Sequence, residues 1–113
     1  MEIQYTELDN GLRLITLIGT LDMQGTFSVE VQFARYCAGE GVRVLVDLSG
    51  VTYLSSIGIP MLINTARSVV IQGGKMGLVG PIYDVHRVLE ITGVLQIIPV
   101  FHDFDTAVAA IAA

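Results

Sequence analysis

The chain has 113 residues, 52% of them apolar, enough to close one core and too few for two. Six Lys and Arg against eleven Asp and Glu leave a net charge of -5 with no basic run. Nucleic-acid binding is therefore disfavoured, because phosphate contacts need clustered positive charge, and a protein partner is favoured instead.

In chain order, "MEIQYTELDN" opens with acidic and polar residues and lacks the charged-then-apolar order of a secretory signal, so a cytoplasmic protein is expected. "EIQYTELDN" and "GLRLITLIGTLD" predict two strands joined at Asn10-Gly11, a dipeptide that tolerates positive φ and favours a hairpin. From about Gln24 to Ala38 the spacing turns helical and carries two apolar stripes. One is Phe27, Val31, Ala34 and Ala38; the other is Val29, Phe33 and Tyr36. Periodicity alone leaves open which faces the core, and an uncovered stripe would make a weak homodimer of an otherwise monomeric chain.

Cys37 is the single cysteine, without ligand-spaced neighbours, and reads as a buried thiol with no metal to hold. "VRVLVDL" predicts a central strand, followed by a helix from about Ile57 to Gln72. "KMGLVG" predicts a strand, "PIYDVHRVLEITG" a helix, "LQIIPVF" a last strand and "DFDTAVAAIAA" a terminal helix with acidic residues at its start. The order β-β-α-β-α-β-α-β-α implies one α/β domain over residues 1–113, with a mostly parallel sheet, an antiparallel N-terminal edge strand and helices packed on it. Arg13, Asp22, Arg43, Asp47 and Arg67 interrupt every apolar run before it reaches the ~18 to 20 residues of a membrane span.

The stretch "LSSIG" at 54–58 ends the central strand and begins a helix, where functional groups gather in open α/β sheets. A serine there can serve as an ordinary helix N-cap. It can also offer a hydroxyl at the positive end of a helix, where an oxyanion or phosphate is tolerated. On a helical wheel Ile59, Leu62, Ile63, Ala66, Val69 and Val70 form the expected core face. Ile57 and Met61 fall among Asn64, Thr65, Ser68 and Gln72 on the polar side, an apolar patch beside Ser56 suited to a partner. With Ser56 as N-cap, Pro60 would remove the first internal donor of the helix.

"IGTLD" at 18–22, "VLVDLSGVTYLSSIGIPML" at 44–62, "GGKMGLVGP" at 73–81 and "VHRVLEITGVLQIIPVF" at 85–101 resemble, in order and spacing, the bacterial anti-sigma factor antagonists of the STAS domain family. The resemblance implies a protein without catalytic residues or cofactor. It would bind an anti-sigma factor that is also a serine kinase and so regulate transcription, with a phosphatase to reverse the modification. It makes Ser56 the phosphoacceptor, with Ser55 as the alternative, and adds Gly58 and Asp22 to the apolar patch of the helical wheel, so that Asp22, Ser55, Ser56, Ile57, Gly58 and Met61 are the expected partner-binding surface. Ser55 stands where aspartate is common in the family and Ile57 where Ser, Thr or Ala is common. A STAS module of a transport or sensor complex, never phosphorylated, is the competing expectation. A hydrolytic triad of Asp22, Ser56 and His86 or His102 is a weaker one, since the chain has no G-x-S-x-G motif.

Overall fold

The computed structural model describes residues Met1–Ala113. Strand β1 (Glu2–Glu7) turns at Asn10 and Gly11, both at positive φ (69° and 75°), and returns as β2 (Arg13–Leu21). The connection is wider than a two-residue hairpin: Asp9–Gly11 form a 3-10 turn closed by the Leu8 N–H on the Leu12 carbonyl at 2.7 Å. Then follow α1 (Met23–Tyr36), β3 (Arg43–Leu54), α2 (Gly58–Ile71), β4 (Lys75–Val79), α3 (Tyr83–Ile91), β5 (Val100–Phe101) and α4 (Phe104–Ala112). The sheet runs β1-β2-β3-β4-β5, with β1 antiparallel to β2 and every other pair parallel. No helix is long and apolar enough to cross a membrane.

The two faces of the sheet are covered unequally. Val44, Val46 and Leu48 of β3 point into a cluster of 23 buried residues built with α1, α2 and α3. Leu45, on the opposite face, joins a cluster of five completed by Ala107 and Ile111 of α4. Alternation along one strand thus feeds two cores, which is why β3 reads as an unbroken apolar run. Among the two stripes of α1, Val29 and Phe33 are buried and the Tyr36 ring stacks on Tyr5 of β1, with centroids 4.6 Å apart. Phe27 and Val31 are left outside at 59% and 63% exposure.

Three expectations need correction. The last strand, expected over 95–101, shrinks to Val100–Phe101, because Val94–Gln96 take a 3-10 turn that buries Val94 and Ile98. Helix α2 buries Met61 and exposes Val70, because it packs against α1 as well as the sheet and turns its apolar arc toward both. Neither serine caps that helix. Its N-cap is Ile57, with no side-chain bond to the first turn, so Pro60 falls among donors that are free in any helix and no internal bond is lost.

Candidate partner-binding site

The site is carried on a projection of the sheet. Strand β3 pairs with β4 only from Arg43 to Asp47, while its last seven residues, 48–54, continue beside β2 alone. Two register shifts against β2, at Thr16/Ile18 and Gly19/Thr20, give β3 extra residues there. Burial along β3 then falls at Leu48, Val51 and Leu54, every third residue, and Tyr53 is turned out to 56% exposure.

At the end of this projection β2 and β3 are joined by one carbonyl. The Leu21 oxygen accepts from the Ser55 backbone N–H at 3.0 Å and from the Ser55 hydroxyl at 2.6 Å. The next residue, Asp22, caps α1: its carboxylate accepts from the Gly25 N–H at 2.7 Å. Gly25 lies directly on β2, since a Cβ there would stand 2.0 Å from the Thr20 carbonyl oxygen. Gly58 closes the turn by donating to the Ser55 carbonyl at 3.1 Å. A Cβ on Gly58 would meet Leu54 Cδ1 at 2.8 Å and Leu21 Cβ at 3.2 Å, so this glycine is set by close approach rather than by backbone angle.

Ser56 and Ile57 are the two middle residues of that turn. Ser56 is exposed, with no bond to another group of the chain, and Ile57 is half-buried. With no side chain capping α2, the positive end of that helix is left beside the Ser56 hydroxyl. Asp22, Ser55, Ser56, Ile57 and Gly58 are therefore gathered at one end of the molecule. Met61 is not part of this surface: it is buried at 8% exposure in the main core. The apolar surface next to the turn comes instead from Met23, beside Asp22, and from Tyr53. Strict alternation would have pointed Tyr53 inward with Val51, and only the bulge turns it out.

The histidines do not join the site. His86 and His102 face each other, ring centroids 5.6 Å apart, with His102 directly after β5. Phe101 of β5 is level with Val79 and hence with Asp47, at the base of the projection. Seven residues of strand, on the order of 20 Å, separate that level from Leu54. No grouping of three or more His, Cys, Asp or Glu that could hold a metal ion is present.

The chain matches the STAS domain over residues 4–107. It is 27% identical over 110 residues, 97% of this chain and 94% of the other, to a protein of Bordetella bronchiseptica provisionally named anti-sigma factor antagonist BtrV. The crystal structure of an anti-sigma factor antagonist from Mycobacterium paratuberculosis superposes with a TM-score of 0.89 at 23% identity, covering 99% of this chain and 94% of that one. The Bacillus cell fate determinant SpoIIAA in its phosphorylated form superposes with a TM-score of 0.70 at 14% identity, covering 96% of this chain and 98% of that one. With a mixed five-stranded sheet, its helices and almost its whole length accounted for by that match, the chain belongs to the STAS domain family.

Proposed function

We propose that this chain is an anti-sigma factor antagonist that binds its anti-sigma factor through the surface at Asp22 and Ser55–Gly58 and is released when a serine kinase of that partner phosphorylates Ser56. The observation that carries the reading is the difference between the two serines. The Ser55 hydroxyl is spent on the Leu21 carbonyl, whereas Ser56 stands exposed in the turn with its hydroxyl uncommitted. A similar name in the Bordetella relative and a related fold solved in a phosphorylated form support it.

The physical consequence of phosphorylation follows from the surroundings. A phosphate adds about -1.5 to -2 charges beside Ile57, Tyr53 and Met23, apolar groups that a partner would otherwise cover. Covering a dianion in an apolar interface is costly, so the partner dissociates. Within the chain the uncapped start of α2 tolerates the same charge, so the fold survives. The protein acts by binding and not by catalysis, in the cytoplasm where kinase and phosphatase would meet it.

The test is fragment mass spectrometry of the protein from its own cells, for wild type and Ser56→Ala, together with partner pull-down. A phosphate on Ser56, absent from the variant, is expected. Ser56→Asp should lose the anti-sigma factor while its melting temperature moves by no more than about 2 °C, as surface substitutions do. Finding no phosphate on Ser55 or Ser56 under any condition would give the turn to a constitutive interaction module instead.

A further inference from the structure

Helix α1 leaves one of its two stripes unused. Phe27, Val31, Ala34 and Ala38 are exposed, and their spacings of four, three and four residues are those of a coiled-coil seam. In that heptad frame Val31 takes position a, Phe27 and Ala34 take d, and Ala38 follows just beyond the end of the helix. Glu30 then falls at g and Arg35 at the following e, on opposite flanks of the seam. Both side chains are exposed, and neither takes part in the chain's one ion pair, Arg87–Glu90.

This arrangement of charge fits a second copy of the same helix. When two identical helices pair in parallel and in register, g of each lies opposite the next e of its partner. Glu30 would meet Arg35 of the other copy twice, once on each side of the two-fold axis. An antiparallel pair would set flank g against g and e against e, placing like charges together. A groove of about 570 Å³ between α1 and α2 continues the seam, lined by Val31, Ala34, Ala38, Met61 and Thr65, and gives the incoming helix a second wall.

We propose that α1 pairs in parallel with α1 of a second copy about a two-fold axis running along this seam. The seam within this 14-residue helix has three positions, one of them alanine, with Ala38 just past its end, far less surface than the ~1,600 Å² a standard interface buries. The dimer is accordingly weak and forms at high protein concentration. Parallel pairing brings both Asp22 caps, and with them both Ser56 turns, to the same end of the dimer. The inference does not depend on whether Ser56 is modified.

Sedimentation equilibrium from about 10 µM to 1 mM tests it. Wild type should rise reversibly from the monomer toward the dimer mass, and Val31→Glu should stay monomeric. Glu30→Arg and Arg35→Glu should each weaken the dimer about three- to ten-fold, and the double exchange Glu30→Arg/Arg35→Glu should restore it to within about two-fold. All three substituted positions are exposed, and unchanged thermal melts would confirm intact folding. A wild-type chain that stays monomeric at 1 mM overturns the proposal and leaves the seam to a different protein. A double exchange as weak as the single ones overturns the parallel register.

Discussion

The Ser55 hydroxyl reaches the Leu21 carbonyl at 2.6 Å, while its neighbour Ser56 reaches no group of the chain. Since the Ser55 N–H already donates to the same oxygen, the side chain adds a second lock between β2 and the turn. An ionised aspartate in its place would have no donor to offer Leu21, so this second bond depends on the serine hydroxyl. Gly58 is the other fixed point. Alanine gains up to about 1 kcal/mol over glycine in a helix, but its Cβ would press on Leu54 and Leu21, and such overpacking costs about 1 to 3 kcal/mol. Gly58→Ala is therefore expected to lose about 1 to 2 kcal/mol, read as a lowered urea midpoint. An unchanged midpoint would mean that the start of α2 can shift freely. The turn itself was legible in the sequence as a strand end leading into a helix. The reason for its glycine was not, since the close approach of Leu54 and Leu21 comes from tertiary packing. Nor was the burial of Met61, since a wheel drawn for one helix carries no information about a second neighbour.

At the scale of elements, α4 stands apart because it alone covers its face of the sheet, burying only Ala107 and Ile111. So small a contact needs its ends held. Asp103 caps the start, its carboxylate accepting from the Thr106 N–H at 2.9 Å, and this bond with the Thr106 hydroxyl holds the Asp103 carboxyl below its usual range. At the other end Arg43 donates to the Ile111 and Ala113 carbonyls at 2.8 and 2.7 Å, a cation placed where the helix is negative. Arg43→Met keeps much of the stem but removes both bonds. It should cost about 1 to 2 kcal/mol and speed amide exchange in 109–112 well beyond that of β3. Equal acceleration throughout would show that α4 opens only with the whole domain. The number and order of elements were readable from alternating periods of two and 3.6. The length of β5 was not: "LQIIPVF" has strand composition throughout, and the 3-10 turn that claims Val94 and Ile98 wins through tertiary burial.

Across the whole molecule, Cys37 reports on how the layers stay closed. It follows α1, and Arg13 of β2 holds that end of the helix by donating to the Tyr36 and Ala38 carbonyls at 2.9 and 2.7 Å. The thiol is packed into the main core, and burial pushes its pKa from 9.0 up to about 12, although the nearby Arg13 charge pulls the other way. The unfolded chain loses this proton near pH 9, while the folded one keeps it until about pH 12. Above pH 9 the folded state therefore binds more protons than the unfolded state, and stability must fall as pH rises through that window. Below pH 9 both states hold the proton and the contribution is constant. The informative quantity is the difference between wild type and Cys37→Ala, which isolates the contribution of this thiol. The variant should be less stable at pH 7, because it leaves a small cavity, and the gap should narrow by on the order of 1 kcal/mol for each pH unit above 9. Denaturant unfolding of both proteins at pH 7, 9 and 10.5 measures it. A gap that stays constant would mean that α1 lifts from the sheet and exposes the thiol without global unfolding, which would make the Arg13 clasp the weak point of the fold.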